Sequence, residues 1–214
     1  MMIKVISLDI GGTLIKGEPS KYNLKLLTNL IDLPKDKVRT TYKDVFQKMN
    51  GDFDTLTSLF CERLKIEKTD ELINFFKHLF LDNNGGIILD KDKETIKKLK
   101  EAGYKIILFS NSSSLFNHIN DLDGIKNYVD EVFYSYEIGY TKSDSESYRY
   151  IEEKLEVEPK EILHIGDTLK SDYLDPIKNG WNAIYFGQCD DKNIIQINNL
   201  DEILDYLNIK NKYK

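Results

Sequence analysis

Two short apolar runs that end in aspartate constrain the fold of this chain more than any other feature. Val5-Ile6-Ser7-Leu8 leads into Asp9 and the turn Ile10-Gly11-Gly12-Thr13-Leu14, and Ile162-Leu163-His164-Ile165 leads into Gly166-Asp167. Similar β-rich runs recur at Lys105 to Phe109, Glu131 to Tyr134 and Asn182 to Phe186, so five strands are expected. Helical segments lie between them. Lys91 to Ala102 has the period and the lysine-rich outer face of an amphipathic helix, and Gly103 is suited to the left-handed residue that ends it, as is Gly180 after Asp175 to Asn179. Strands alternating with helices call for right-handed crossovers and a parallel sheet covered on both faces. The expected fold is therefore α/β, a doubly wound parallel sheet of five strands; for a Rossmann-like sheet of this kind the expected order is 3-2-1-4-5.

The stretch from about 16 to 84 differs in kind, because it shows helical periodicity and no strand. Leu24, Leu27, Leu30 and Ile31 mark one face; Val38, Tyr42, Val45, Phe46 and Met49 mark the next, after a Pro34 placed to begin a helix. Leu56, Leu59, Phe60 and Leu64, then Leu72, Ile73, Phe75, Phe76, Leu79 and Phe80, continue the pattern to a count of four helices. Asn50-Gly51-Asp52 and Asn83-Asn84-Gly85-Gly86 are turn chemistry. A helical insertion between the first strand and the rest of the sheet reads as a cap over the crevice. The expected division is 1–15 and 86–214 for the α/β core and 16–85 for the cap, which should move about connections near Ile15-Lys16 and Gly85-Gly86.

Composition narrows the partners. A formal net charge of −6 over 214 residues gives no field to attract nucleic acid, which is bound through excess Lys and Arg. No apolar run approaches the roughly 20 residues that span a bilayer, and Met1-Met2-Ile3-Lys4 runs into a strand without the features of a secretory signal, so a cytoplasmic location is expected; the expected assembly is a monomer or homodimer. Cys61 and Cys189 lie far apart with no partner at metal or redox spacing, and His78, His118 and His164 form no cluster. All five read as structural.

In an open α/β sheet, ligands collect beyond the carboxyl ends of the strands, and Asp9, Ser110, Lys142 and Asp167 each lie at or just after such an end. A carboxylate nucleophile, a hydroxyl, a cation and a metal carboxylate are equipment for moving a phosphoryl group. Four segments carry a further resemblance: Asp9-Ile10-Gly11-Gly12-Thr13; Ile106-Ile107-Leu108-Phe109-Ser110-Asn111; Gly139-Tyr140-Thr141-Lys142-Ser143-Asp144; and Gly166-Asp167-Thr168-Leu169-Lys170-Ser171-Asp172, followed by Gly180-Trp181. In this order they resemble the signatures of the haloacid dehalogenase superfamily over almost the full length.

The resemblance implies an Mg²⁺-dependent hydrolase of a small phosphorylated metabolite, working through an aspartyl-phosphate at Asp9. By position, Asp9, Asp167 and the Gly11 carbonyl would hold the metal. Ser110, Lys142, Asn111 and the amides of Ile10 and Gly11 would bind the phosphoryl group. Thr13 would support the loop, and Asp172 would hold Lys142 or a water on the metal. One position departs from the pattern: where family phosphatases carry a second aspartate as general acid and base, a role worth typically about 10² to 10⁴ in rate, this chain has Gly11.

Three other readings follow from that glycine. A catalytically silent relative would bind a phosphorylated ligand without turning it over. A dehalogenase-like or phosphonatase-like hydrolase is another; phosphonoacetaldehyde hydrolases carry a small residue there and need a cap lysine that forms a Schiff base. Asp-Ile-Gly-Gly-Thr also resembles the phosphate loop of kinases with the actin-like ATPase fold, which predicts a β-hairpin after Thr13. Asp52 and Asp54, between cap helices, are candidates to replace the missing acid.

Overall fold

In a computed structural model, described for residues 2–16, 21–81, 87–116 and 127–209, the centre is a parallel sheet. Its strands are β1 (Val5–Leu8), β4 (Lys105–Ser110), β5 (Glu131–Tyr134), β6 (Ile162–Gly166), β7 (Asn182–Phe186) and β8 (Gln196–Ile197), in the spatial order β5-β4-β1-β6-β7-β8. All of its neighbouring pairs are parallel. The five expected strands stand in the expected order, and β8 adds a sixth at the edge. Chain direction places every carboxyl end on one rim, and β1 lies where successive strands turn to opposite sides of the sheet.

Burial follows from the sequence of the strands. β1 and β6 are buried along their whole length, and β4 from Ile106 onward, as a sheet sandwiched between two layers requires. Ile6, Leu8, Leu108, Leu163 and Ile165 pack with Ile96 and Leu99 of α5 (Asp90–Glu101) on one face. Val5, Ile107, Phe109 and Ile162 pack with Tyr148 and Ile151 of α7 (Ser145–Leu155) and with Trp181 on the other. Alternation along each strand divides its side chains between these two cores.

The segment between β1 and β4 forms α1 (Leu24–Leu30), α2 (Lys35–Tyr42), α3 (Phe53–Leu64) and α4 (Asp70–Phe80). A single π-helical turn, Lys43–Gln47, prolongs α2. These helices have a core of their own, with Phe46 stacked among Phe60, Phe76 and Phe80. Most of the expected apolar positions are buried; Leu24, Met49, Leu59 and Ile73 are half-buried and Leu30 is exposed, while Thr28 takes an interior place beside Leu27.

Two short strands tie this layer to the sheet: β2 (Ile15–Lys16) pairs antiparallel with β3 (Ile87–Ile88). Ile15-Lys16 is thus part of a ribbon rather than a loose connection, and Gly85-Gly86 lies outside the described residues. The strand after Thr13 finds its partner at Ile87–Ile88 instead of closing a local hairpin, which removes the kinase reading. Two further short helices, α6 (Ser135–Ile138) and α8 (Asp175–Lys178), flank the site, and α9 (Glu202–Tyr206) packs on the sheet. No described helix is long and apolar enough to cross a membrane.

Candidate active site

At the carboxyl rim, four distant segments converge on a cavity of about 400 Å³ lined by Asp9, Ser110, Asn111, Lys142 and Asp172, with Gly11 at its wall. Asp9 follows the central strand, anchored by its N–H donating to the Ile165 carbonyl at 2.9 Å. The Lys142 ammonium lies between two carboxylates, 2.5 Å from Asp9 Oδ1 and 2.6 Å from Asp172 Oδ1, with all three side chains nearly or fully buried. Oxygens of Asp9, Asp167 and Asp172 come within 4.8 Å of one another.

The loop bearing Lys142 is fixed at both ends of its peptide. Its N–H donates to Asn111 Oδ1 at 2.8 Å, and its carbonyl accepts from the buried Tyr148 hydroxyl at 2.8 Å. Asp144 braces the approach by accepting from the Thr141 N–H and hydroxyl, and α6 ends at Gly139 with φ +79°, a left-handed conformation that glycine adopts without a side-chain penalty. Asn111, expected against the phosphoryl group, therefore also holds the loop that carries the cation.

Asp172 sits on a second π-helical turn, Leu169–Leu174, and such turns gather at functional sites. Its Oδ2 accepts from the Thr168 N–H at 2.9 Å. A Cβ on Gly166 would overlap the Asp172 carboxylate, so the Gly-Asp at the end of β6 permits this approach. Beneath it, His164 Nε2 is 3.3 Å from Asp172 Oδ1 and Nδ1 is 2.8 Å from Ser7 Oγ. A carboxylate only accepts, so Nε2 carries the proton and Nδ1 accepts from the serine hydroxyl.

Charge explains the arrangement. Desolvation raises the buried Asp9 carboxyl to about 7 even with the Lys142 ammonium pulling the other way. Burial also raises Asp172, but Lys142 and His164 overcome it and hold that carboxyl well below the usual range. Burial works to lower Lys142, and the two carboxylates more than restore it, so the lysine is charged. Burial lowers His164 to about 4, which leaves it neutral. Asp167 is raised, by burial first and by Asp172 second. Three carboxylates face one ammonium, an excess of negative charge that a proton on one of the raised carboxyls or a second cation would offset. Oxygen donors alone, clustered so tightly, suit a hard divalent ion such as Mg²⁺.

The remaining expected residues fall around this centre. Ser110 closes β4, buried and facing the cavity. Ile10 is in the hydrophobic core and meets the turn through its carbonyl, which accepts from Leu14 and Ile15. Thr13 is buried, and its hydroxyl has no partner among the described residues. Gly12 adopts φ +77°, and a Cβ there would collide with the Asp167 carboxylate, whereas a Cβ on Gly11 would meet nothing within 4 Å. Lys16 closes the turn by donating to the Gly12 carbonyl at 2.9 Å.

Asp52 and Asp54 do not replace the missing acid. Asp52 caps α3 by accepting from Thr55, and Asp54 pairs with Lys68. Lys43, Gln47, Lys170 and Ser171 line the cavity unforeseen. Lys170 and Ser171 belong to the fourth signature, whereas nothing in the periodicity of the helical segment separates Lys43 and Gln47 from its other polar positions.

A sequence profile of the haloacid dehalogenase-like hydrolases matches residues 3–174. The chain belongs to this family of hydrolases. Among its relatives, this haloacid dehalogenase-like hydrolase is similar to an enolase-phosphatase E1 of Hydrogenobaculum, 28% identical over 91% of this chain and 97% of that one. It is also similar to an uncharacterised hydrolase of Schizosaccharomyces pombe, 31% identical, where the match spans 44% of this chain and 42% of the relative's length. A magnesium-bound hydrolase of the same family from Bacillus subtilis shares the fold, with a TM-score of 0.67, 20% identity, and coverage of 98% of this chain and 100% of the other.

Proposed function

We propose that this hydrolase is an Mg²⁺-dependent phosphatase for a small phosphorylated metabolite, with Asp9 as nucleophile. The observation that supports it best is the placement of Lys142 between Asp9 and Asp172, beside the three-carboxylate cluster. An oxygen of the Asp9 carboxylate forms a bond to phosphorus as the bond to the leaving oxygen breaks, giving an acyl phosphate. Lys142 offsets charge on the nucleophile and the transferring group, and the Ser110 hydroxyl and the Asn111 amide donate to phosphoryl oxygens. Water then hydrolyses the acyl phosphate and regenerates Asp9. Asp9, Asp167 and the Gly11 carbonyl would hold Mg²⁺, which supplies charge neutralisation at the phosphoryl oxygens.

Gly11 gives the leaving oxygen no acid from the chain at the usual position. Substrates whose leaving group departs without a proton, such as acyl or phenolic phosphates, suffer least. The residues 16–85 are proposed as a cap that excludes water when closed, linked to a core of 1–15 and 86–214. Lys48 reaches 3.0 Å to Asp144, and the Ser114 hydroxyl donates to the Gly51 carbonyl at 2.9 Å, contacts that would hold the closed state. Turnover of an aryl phosphate that needs Mg²⁺, stops with chelator and is lost in Asp9→Asn supports this reading. Tight binding of phosphate esters without turnover of any would replace it with the silent binder.

A phosphonatase-type reading gains from one observation: a cap-side lysine, Lys43, lines the same cavity as Asp9 while the position two past Asp9 is small. Borohydride reduction in the presence of an aldehyde phosphonate tests it. A covalent adduct on Lys43 favours it, and recovery of unmodified Lys43 rules it out.

A further inference from the structure

The wall of the cavity opposite the sheet is made by the π-helical turn Lys43–Gln47. Val45 and Phe46 of this turn are fully buried, with Phe46 held by Phe60, Phe76 and Phe80. Inserting a wide turn into an α-helix resets which residues share a face, and π-turns gather at functional sites. Here the turn keeps its apolar pair in the helical core and leaves Lys43 and Gln47 on the cavity.

Both side chains are unanswered. Three lysines line the cavity: Lys142 lies between Asp9 and Asp172, and Lys170 Nζ lies 2.9 and 2.8 Å from the two oxygens of Asp175. Lys43 has no carboxylate partner among the described residues. Gln47 Oε1 is buried and accepts no hydrogen bond among the described residues. An unsatisfied buried acceptor carries a desolvation penalty that a donor on the ligand would relieve, and a lysine facing a cavity without a counter-ion attracts an anion.

We infer that Lys43 and Gln47 form the subsite for the leaving group. Its substrates are phosphate monoesters that carry a second anionic group, met by the Lys43 ammonium, and a hydroxyl or N–H donor, met by Gln47 Oε1. This rests on the phosphatase reading, in which the phosphoryl group lies at Asp9. The cavity volume of about 400 Å³ suits a small metabolite holding all three groups.

The test compares 3-phosphoglycerate, with its carboxylate and hydroxyl, against glycerol 3-phosphate, which has the hydroxyls and no second anion. A small bisphosphate shows whether the anion is a carboxylate or a phosphate, and 3-phosphonooxypropionate removes the hydroxyl donor. Specificity is read as the ratio of kcat/KM and, independently of turnover, as the ratio of Kd in the Asp9→Asn protein with Mg²⁺. The wild type should favour an anionic ester over glycerol 3-phosphate by about tenfold or more, the gain expected for one charge-assisted contact. Lys43→Met should collapse that ratio toward one while Lys43→Arg retains it, and Gln47→Leu should collapse the preference for the hydroxyl-bearing acid over 3-phosphonooxypropionate. A ratio near one in the wild type, or a ratio unmoved by Lys43→Met, overturns the inference. If aryl phosphate turnover depends on Asp9 and these ratios are flat, the inference fails and the phosphatase reading stands. If the anionic ester is bound selectively and no phosphate is hydrolysed, the converse holds.

Discussion

The Gly12 backbone lies against the Asp167 carboxylate so closely that a Cβ on residue 12 would occupy the same space as its oxygen. The adjacent glycine has no such neighbour. Two consecutive glycines in one turn therefore have different reasons to be there, and substitution separates them. Gly12→Ala forces a left-handed φ on an alanine, at about 1–2 kcal/mol, and displaces Asp167. It should abolish the thermal stabilisation produced by Mg²⁺. Gly11→Ala should fold with nearly unchanged Tm and keep that stabilisation, as differential scanning fluorimetry with and without Mg²⁺ will show.

Gly11→Asp restores a carboxylate into open space at a position whose φ is not left-handed. If proton transfer limits the wild type, kcat on alkyl phosphates should rise by about 10² or more, within the range of general acid catalysis. Phenolic phosphates, whose leaving groups need little protonation, should gain much less. An equal gain on both classes points to a changed metal site instead.

Removing Lys142 leaves Asp9 and Asp172 buried without their shared counter-ion beside Asp167, with Asp172 keeping only Thr168 and His164. Lys142→Met should lower stability by about 3–5 kcal/mol, the usual consequence of breaking a buried pair by one partner. Urea denaturation at neutral pH measures it. The additional change Asp172→Asn should recover part of this loss in stability and none of the activity.

His164 is buried and neutral, lowered by desolvation from its ordinary 6.5 to about 4. The unfolded chain then holds more protons than the folded one between about pH 4 and 6.5, so stability rises with pH across that window. The contribution is fully present above about pH 6.5 and is lost as pH falls toward 4, at most about 3 kcal/mol. His164→Gln should have a shallower acid decline than the wild type between these limits. Parallel declines in urea titrations at pH 7 and pH 4.5 would contradict the neutral imidazole.

The sheet could be read from the sequence because each main strand is a short, largely apolar run between helical segments, and its order is the one expected of a Rossmann-like sheet. β8 could not, since Gln196–Ile197 pairs over only two residues and one of them is polar and exposed. The β2–β3 ribbon joins two dipeptides about 70 residues apart, which no local pattern reveals. Asp9, Lys142 and Asp172 came together from short spaced signatures. Lys43 and Gln47 did not, because α-helical periodicity continues smoothly through 38–49 and conceals the π-turn that places them. Asp52 and Asp54 had the right charge in the right segment, but local hydrogen bonds at the start of α3 and Lys68 had already engaged them.

The central claim is that the Asp9 carboxylate bonds to phosphorus, and one experiment reads it directly. The protein is mixed with Mg²⁺ and an acyl or aryl phosphate, quenched in acid within milliseconds to seconds, digested and analysed by mass spectrometry. One phosphoryl group should be found on the peptide containing Asp9, absent in Asp9→Asn and decaying at the rate of turnover. Turnover without any label on that peptide, or undiminished turnover by Asp9→Asn, would contradict the account.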